Sequence, residues 1–369
     1  MKLLIIKVFV LCIKILYAPM KLKKTKNKIL YLSRQSNEKS PDMLMLEEGI
    51  KKISPDTEQV FRLRKLKDES AISLSYILSI FGDMWEMASA RVVITDTYSI
   101  PVSCLKHKPA QKIVQIWHAL GAVKKFSLQA AGKAQGRDLG VAKAMHMHEN
   151  YDYVIAPSEA TGNIYCRAFG CKPENIAIYS LPRVDVILDG KNKKDEFLSL
   201  NPSYAGKTIV AYVPTFRDGD ELYAKDLYEA FESCEDIALV VSPHPLSKTA
   251  QQGEYKFKGD FSSLDLIKLA DKVVTDYSAC AFEAAILNKP LYFYVPDYEK
   301  YKQEQGLNIE ILTELTGVAF KEKAPLLDAL NCEKYNFNML RAFADKYIEN
   351  KSKNNTERLA LFIRSLLEE

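Results

Sequence analysis

Short apolar runs rich in β-branched and aromatic residues alternate along the chain with longer segments of helical character. Such runs are typical of strands buried in a parallel sheet. The predicted strands are Ile29–Ser33, Val60–Leu63, Val92–Thr95, Ile113–Trp117, Tyr153–Ala156, Ile176–Tyr179, Thr208–Val213, Ala238–Val241, Val273–Thr275 and Leu291–Val295. The predicted helices include Ser70–Ala88, Glu159–Phe169, Lys225–Phe231 and Ala279–Leu287. The alternation predicts βαβ units and therefore an α/β fold with parallel sheets.

A polar stretch near the middle of the chain, residues 189–207 (DGKNKKDEFLSLNPSYAGK), interrupts this alternation. Polar segments that contain glycine and proline commonly connect domains. We therefore expect one α/β domain over residues 29–190, a linker over 191–207, and a second α/β domain over 208–369 that ends in a C-terminal helix. The length of 369 residues agrees with two domains.

The N-terminal residues form a separate, basic segment. The apolar run Leu3–Tyr17 carries Lys7 and Lys14 on one helical face, because seven residues make almost two turns. These lysines interrupt the ~20 apolar residues that a spanning helix needs, so we expect neither a transmembrane helix nor a typical signal peptide. Pro19 is expected to end the helix, and the basic sequence KLKKTKNK follows it.

The charge distribution favours association of residues 1–28 with an anionic membrane surface, through an amphipathic helix and a polybasic tail. These residues contain eight lysines and no acid, whereas the whole chain has 51 Lys+Arg against 47 Asp+Glu. A buried first helix with a solvated linker is the plainer alternative, and nuclear or nucleic-acid targeting is a third. The rest of the chain is mildly acidic, so we expect no nucleic-acid partner.

The composition narrows the class of protein. Hydrophobic residues make up 47% of the chain and charged residues 27%, which excludes bulk disorder, collagen and coiled coils. Seven scattered cysteines without a CxxC pair indicate a reducing compartment. His146 and His148 allow a metal site, but a solvated helix end is favoured because no third candidate ligand has the sequence spacing of a metal site. We predict no metal site and no cofactor, and leave a metal requirement open.

Polar side chains follow four of the predicted strands, at the edge where open parallel sheets bind ligands. They are His118, Arg217, His244 and the run Thr275-Asp276-Tyr277-Ser278. An arginine can clamp a phosphate, a helix N-terminus can bind one, and a histidine can move a proton at neutral pH. Taken singly, each has a plainer interpretation, such as a turn, a surface ion pair or a helix cap. Together they predict a site for a phosphate-bearing substrate.

Several segments also match a known family. They are VQIWHALGAVKKF (114–126), LPRVDVIL (181–188), YVPTFRD (212–218), SPHP (242–245) and VVTDYSACAFEAAILNKPLYFYVPDYEKY (273–301), with SRQSNEKSPD (33–42) near the start. With these segments the chain resembles the CDP-glycerol glycerophosphotransferase family, the teichoic acid primases and polymerases of Gram-positive bacteria. The resemblance covers about Ile29 to about Gly306, and the last block is long enough to make it specific.

The resemblance implies a GT-B-like fold, with two Rossmann-like domains facing a cleft that holds the active site. It implies transfer of glycerol phosphate or ribitol phosphate from a CDP-polyol donor to a hydroxyl of a polyprenyl-diphosphate-linked acceptor, with release of CMP. The first domain would bind the acceptor and the second domain the CDP-polyol. The enzyme would work in teichoic acid or capsule synthesis, as a peripheral protein at the cytoplasmic face of the cell membrane.

The resemblance also implies roles for individual residues. His118 is similar to the family's proposed general base, His244 to the histidine at the donor's phosphates, and Arg217 to the arginine on the pyrophosphate. The segment with Thr275, Asp276 and Ser278 is similar to the one whose hydroxyls cradle a phosphate.

The chain departs from the family pattern at three places. Gly121 is displaced relative to the usual WHGTP motif, and Glu283 replaces an aspartate in the helix after TDYS. Residues 304–307 lack the usual arginine. We include Gly121 and Glu283 among the expected substrate-binding residues.

Two alternatives remain: a GT-B capsule glycosyltransferase that uses a nucleotide sugar, and a catalytically degenerate GT-B scaffold protein. Glycerol or ribitol, one transfer or many, and a homo-oligomeric state are left open.

Overall fold

A computed structural model describes most of the chain, which forms two compact units. The described residues are 1–65, 74–134, 136–215, 220–232, 234–243, 247, 257–349 and 351–369. The first unit comprises residues 1–120, 126–186 and 352–369, and the second comprises residues 121–125 and 187–351.

The first unit is built around a six-stranded parallel sheet. Its strands are β1 (Lys28–Ser33), β2 (Glu58–Leu63), β3 (Val92–Thr95), β4 (Lys112–Gln115), β5 (Tyr153–Ala156) and β6 (Ile176–Ile178). The spatial order is β2-β1-β3-β4-β5-β6, so the chain adds β2 on one side of β1 and the later strands on the other. The sheet is doubly wound, and its topological switch point lies between β1 and β3.

The helices of the first unit follow the strands. In chain order they are α1 (Lys2–Met20), α2 (Pro41–Ile53), α3 (Leu74–Met87), α4 (Ile100–Cys104), α5 (Leu139–Ala144), α6 (Glu159–Phe169) and α7 (Arg183–Ile187). Local sequence explains where α2 begins: the Ser40 hydroxyl accepts a hydrogen bond from the Met43 N–H, and Pro41 occupies the first helical turn. Met43, Leu46 and Ile50 then form its buried face.

The second unit has a five-stranded parallel sheet in the order β11-β10-β9-β7-β8, so its switch point lies between β7 and β9. The strands are β7 (Thr208–Val213), β8 (Ile237–Val241), β9 (Lys272–Thr275), β10 (Leu291–Tyr294) and β11 (Ala319–Phe320). The helices are α8 (Lys194–Leu200), α9 (Asp220–Glu232), α10 (Ser263–Leu269), α11 (Cys280–Ile286), α12 (Tyr298–Glu304), α13 (Ile311–Glu314), α14 (Lys323–Asn331) and α15 (Phe337–Tyr347).

The predicted fold class is confirmed: the protein is α/β with two parallel, Rossmann-like sheets. Every predicted strand is present, with bounds that differ by at most two residues. The short strand β11 was not predicted.

The stretch expected to be a linker is instead structured. Residues 191–207 contain α8 and belong to the second unit. The reason is Phe197, which is fully buried, with ring centroids 5.1 Å from Tyr204, 5.6 Å from Phe257 and 5.4 Å from Phe261. Burial of this apolar side chain stabilises the packing of the segment on the rest of the second unit.

The C-terminal helix α16 (Asn355–Glu368) lies in the first unit, whereas the sequence placed it with the second domain. Asp185 caps it: Oδ1 accepts from the Asn355 N–H, and Oδ2 accepts from the Thr356 N–H, both over 2.9 Å. The helix then packs against α2 at Gly49, where a Cβ atom would come within 3.2 Å of the Ala360 Cβ. Capping and close packing therefore return the end of the chain to the first unit.

The N-terminal helix α1 continues through Pro19 instead of ending before it. Pro19 lies in the last turn, where a missing N–H costs only one intrahelical bond. Val10, Ile13 and Tyr17 are buried on the side that contacts α3 and α5. The other side exposes large apolar residues, namely Leu3, Leu4, Ile5, Val8, Leu11, Ile15 and Leu16. By length and composition alone, α1 could cross a membrane.

Candidate active site

The carboxyl ends of β1 and β3 meet at the switch point of the first sheet. Ser33 ends β1, and Asp96 directly follows β3. The Ser33 hydroxyl donates a hydrogen bond to Asp96 Oδ2 over 3.0 Å, which joins the two strand ends. Crevices at such switch points are where open α/β sheets bind their ligands.

His118 lies beside this switch point, on the loop that follows β4. Its Nδ1 atom is 2.9 Å from the backbone oxygen of Asp96. Because a carbonyl oxygen only accepts, Nδ1 carries the proton of the neutral ring and the ring's lone pair is on Nε2. The side-chain nitrogen of Gln35 lies 3.3 Å from Nδ1 and 3.4 Å from Nε2. The contact with Asp96 therefore selects the tautomer in which Nε2 can accept a proton.

A buried glutamine shapes the loop that carries His118. Trp117 has a φ of 52°, which is uncommon for a bulky residue, and its N–H donates to Gln115 Oε1 over 2.8 Å. The Gln115 amide nitrogen donates to the Thr97 oxygen over 3.1 Å and to the Tyr151 hydroxyl over 3.0 Å. Gln115 thereby joins the loops after β3 and β4 and holds the turn immediately before His118.

Of the two histidines, His148 is part of the core and does not lie at a solvated helix end, so that prediction is wrong for His148. His148 is 4% exposed, and its Nδ1 lies 2.8 Å from the Tyr151 hydroxyl. Burial is the main cause that lowers the pKa of His148 to about 3, so the ring is neutral at physiological pH. His146 pairs with Glu149 over 2.8 Å. In the described part of the chain, no three His, Cys, Asp or Glu side chains cluster as metal ligands would.

Asp96 is a candidate site residue that the sequence analysis did not single out. It is 2% exposed, and its Oδ1 atom has no hydrogen-bond partner among the described residues. Burial raises the pKa of the Asp96 carboxyl to about 7; the nearby Asp42 adds to this, while Ser33 and Arg183 oppose it. The signal was available, because Asp96 follows a predicted strand at the edge where the other candidates were found.

An ion pair between Arg183 and Asp42 connects two of the segments that match the family. The Arg183 N–H donates to Asp42 Oδ1 over 2.8 Å, and its Nε donates to Asp42 Oδ2 over 2.7 Å. Asp42 is buried, so this bidentate pair is shielded from water. The segments 33–42 and 181–188 are therefore held together directly within the first unit.

At the switch point of the second sheet, Thr275 and Asp276 are fully buried and support the backbone. The Thr275 hydroxyl donates to the Val213 oxygen over 2.7 Å. Asp276 Oδ1 accepts from the Thr215 N–H over 2.8 Å and from the Tyr277 N–H over 2.6 Å. These contacts join the ends of β7 and β9. They support a positioning role for both residues, and direct contact of Thr275 with a phosphate stays a prediction.

Ser278 and Glu283 are only partly buried, and both lie near α11. The helix cap is Ala279, one residue later than predicted, and the Ser278 hydroxyl accepts from the Cys280 N–H over 3.3 Å. Ser278 is thus a turn residue directly before the helix, and its hydroxyl proton can be donated to a ligand. Glu283 lies in the first turn of α11.

Gly121 has a packing role in the second unit. A Cβ atom there would come within 2.6 Å of the Phe282 ring, so a larger residue would displace that ring. The segment that follows pairs with residues 305–309: the Lys125 N–H donates to the Gly306 oxygen over 2.9 Å, and the Asn308 N–H donates to the Val123 oxygen over 2.8 Å. The structure gives Gly121 a steric reason for being glycine, independent of any ligand.

Arg217 and His244 lie outside the described residues. The described ends of β7 and β8 stop just before them, at Thr215 and Pro243. The Thr215 hydroxyl is buried and has no hydrogen-bond partner among the described residues. After Asp96 at the first switch point, Thr215 is a second polar residue that the sequence analysis did not single out.

Comparison with known proteins identifies the class of enzyme. Residues 16–365 match the family model described as CDP-Glycerol:Poly(glycerophosphate) glycerophosphotransferase. The chain is 29% identical over 290 residues to the teichoic acid glycerol-phosphate primase of Bacillus subtilis (strain 168), which covers 76% of this chain and 75% of that protein. It is 27% identical over 358 residues to the teichoic acid ribitol-phosphate primase of Bacillus spizizenii, with 92% of each chain covered.

Solved structures show the same fold. The wall teichoic acid polymerase TagF, in a histidine variant, superposes with a TM-score of 0.70 at 18% identity, covering 95% of this chain and 93% of that one. A complex of MnaA from S. aureus with UDP superposes with a TM-score of 0.60 at 12% identity, covering 94% and 97%. These likenesses confirm the predicted GT-B-like fold class. With the family model matched from residue 16 to residue 365, the chain belongs to the CDP-glycerol:poly(glycerophosphate) glycerophosphotransferase family.

Proposed function

We propose that this chain transfers a polyol phosphate from a CDP-polyol to a hydroxyl of a lipid-linked acceptor, with His118 as the general base. Family membership supports the reaction class, and the names of two similar proteins support a primase of glycerol phosphate or ribitol phosphate. A structure of TagF soaked with CDPG supports the CDP-polyol as donor. The contact between His118 Nδ1 and the Asp96 oxygen is the observation that carries the role of the histidine.

The chemistry requires a base on the acceptor side. An alcohol has a pKa far above 7, so it must lose its proton as it attacks phosphorus. His118 Nε2 takes that proton while the acceptor oxygen forms a bond to the β-phosphorus of the CDP-polyol. The bond from this phosphorus to the bridging oxygen breaks, and CMP leaves with the electron pair. The proton on His118 then passes to solvent.

The leaving side requires positive charge and hydrogen-bond donors, because negative charge develops on the CMP phosphate. We propose that Arg217 and His244 supply them, together with the Ser278 hydroxyl. Thr275 and Asp276 support this side through the strand ends they join, and Gly121 through its close packing on Phe282. Glu283, at the start of α11, remains a proposed polyol contact.

We propose that α1 holds the enzyme on the cytoplasmic face of the membrane. Its outer face is apolar, its inner face is buried on the body, and Lys7 and Lys14 are exposed. A helix that is packed along one side and apolar along the other suits the plane of a membrane surface. The basic residues that follow would attract anionic lipids.

The reaction is tested with purified protein, a lipid-linked disaccharide, and CDP-glycerol, CDP-ribitol or a UDP-sugar in separate incubations. Release of CMP with a mass gain of one polyol phosphate supports the proposal, and a longer series of mass gains identifies a polymerase. Release of UDP would move the protein to the nucleotide-sugar glycosyltransferases. The acceptor is used with and without one glycerol phosphate. If no nucleotide is released with any donor and either acceptor, the proposal is contradicted and a scaffold is favoured.

A further inference from the structure

A cavity of about 140 Å³ lies in the first unit at the carboxyl ends of β1 and β2. Its lining includes Arg34, Arg62, Arg64, Tyr76 and Asp83. The volume is below the roughly 300 Å³ at which pockets begin to enclose a drug-sized ligand. The cavity is therefore suited to one chemical group of a larger substrate, and its lining indicates which group.

The cavity carries an excess of positive charge. Arg62 and Arg64 are two residues apart on the chain, so they lie on one face at the end of β2. Arg62 Nε donates to Asp83 Oδ1 over 2.9 Å, so the carboxylate in the cavity lining is paired with Arg62. Arg64 donates to the backbone oxygen of Ser75 over 3.1 Å. The described lining residues thus include three guanidinium groups and one carboxylate.

Arg34 is held in a fixed position at the end of β1. Its guanidinium lies 5.7 Å from the ring centroids of Tyr76 and Tyr98, both largely buried, and donates to the Tyr98 oxygen over 3.2 Å. Its Nε is buried without a hydrogen-bond partner among the described residues. A buried cationic donor that lacks a partner is costly unless a ligand completes it.

The cavity adjoins the proposed base. Ser33 and Thr97 line it, and they flank the Asp96 contact that orients His118. Gln35, the residue after Arg34, lies 3.3 Å from His118 Nδ1. A phosphate held in the cavity would thus belong to the molecule whose hydroxyl His118 deprotonates.

We infer that Arg34, Arg62 and Arg64 form an anion subsite that binds a phosphate group of the acceptor. The inference rests on the proposed function, because it assigns the hydroxyl at His118 to the acceptor. Two acceptor groups share this chemistry: a polyol phosphate already attached to the acceptor, and the diphosphate of the lipid. Either one would place the attacking hydroxyl by pairing with the arginines in bidentate hydrogen bonds.

Steady-state kinetics of Arg34→Gln and Arg64→Gln test the subsite, each against acceptors with and without one glycerol phosphate. Each variant should raise the KM for the acceptor roughly 10- to 100-fold, the usual loss for a hydrogen bond to a charged group, with the KM for the CDP-polyol unchanged. If KM rises only for the acceptor that carries a glycerol phosphate, the subsite is assigned to the polyol phosphate. If KM rises equally for both acceptors but not for a phosphate-free alkyl glycoside, the subsite is assigned to the lipid diphosphate.

Arg358→Gln is the matched control, since Arg358 is an exposed arginine of the first unit that also lies near a tyrosine ring, 5.9 Å from that of Tyr179. It should leave both KM values unchanged. Glycerol 1-phosphate and pyrophosphate should inhibit the wild-type enzyme competitively with the acceptor, a readout that needs no folded variant. The subsite alone would be overturned if the wild type transfers polyol phosphate, both variants keep the wild-type KM for the acceptor, and neither anion inhibits competitively. Absence of wild-type transfer would instead reject the proposed function.

Discussion

The Nδ1 atom of His118 lies 2.9 Å from the backbone oxygen of Asp96, and this contact joins the loops after β4 and β3. A backbone acceptor cannot change its protonation state, so the tautomer of His118 is insensitive to pH while the ring is neutral. The contact also connects the proposed base to the switch point of the sheet. The proposed chemistry therefore depends on the geometry of two neighbouring strand ends.

Replacing His118 with alanine should reduce turnover by ~10²-fold or more, because the acceptor hydroxyl would lose its base. CMP release under saturating donor and acceptor measures this. His146→Ala is the control, since His146 lies in the same unit and pairs with the exposed Glu149. Equal turnover in the two variants would remove His118 from the mechanism.

Replacing Gln115 with leucine should lower kcat more than it lowers donor affinity. The substitution keeps the volume but removes the acceptor of the Trp117 N–H and the donor to the Thr97 oxygen. The turn before His118 would then lose its support, while the second unit is untouched. Donor KM and kcat are measured together, and a variant with wild-type kcat would show that the buried amide does not position the histidine.

Asp96 should make stability depend on pH. Its pKa is raised from the usual value of 3.8 to about 7, so the folded state binds more protons than the unfolded state between these values. This contribution to the free energy of unfolding is complete below about pH 4 and is lost as the pH rises to about 7.

Asp96→Asn keeps the acceptor for the Ser33 hydroxyl but cannot ionise. The variant should gain stability relative to the wild type between pH 4 and pH 7 and keep a constant advantage above that. Denaturant unfolding of both proteins at pH 4, 6 and 8 measures the difference. A difference that stays constant over this range would show that the Asp96 pKa is not raised.

Replacing Asp185 with alanine should lower the free energy of unfolding by about 2–4 kcal/mol, because four hydrogen bonds from Asn355 and Thr356 to its carboxylate are lost. Glu357→Ala is the matched control. Glu357 is exposed in the same helical turn, and its removal should change stability by less than about 0.5 kcal/mol. Similar losses in both variants would mean that Asp185 is not a specific cap.

Replacing Leu4, Val8, Leu11 and Ile15 together with glutamine should release the protein from anionic vesicles. These side chains are exposed on α1, whereas Val10, Ile13 and Tyr17, which attach the helix to the body, are left intact. Sedimentation with vesicles of anionic and of neutral lipid measures binding.

The control for this vesicle test is Leu361→Gln, which removes an exposed leucine from α16. If the quadruple variant sediments as the wild type does, the outer face of α1 is not the membrane contact.

The sequence predicted the sheets well because strand formation here follows local apolar runs. It could not predict Asp96 as an orienting residue, since that role depends on a backbone oxygen meeting a histidine from another loop. Thr275 was expected to cradle a phosphate and Asp276 to bind substrate. Only the structure shows that their side chains also join to Val213 and Thr215. His148 could not be assigned to the core until its aromatic neighbours were known.

The same limit applies to the arginine cavity. Arg62 and Arg64 are close in sequence, but Arg34 joins them only because β1 and β2 pair in parallel with Ser33 opposite Leu63. A charge count along the chain cannot show such a convergence, because it depends on strand register.

The capping of α16 by Asp185 has a consequence for biosynthesis. A ribosome completes every residue of the second unit before it makes the helix that packs on α2. The second unit can therefore begin to fold during translation, while the first unit has an open helix-binding face until α16 has been made. In that interval the uncovered surface of α2 around Gly49 is exposed to chaperones, and slow translation of the second unit would prolong its exposure.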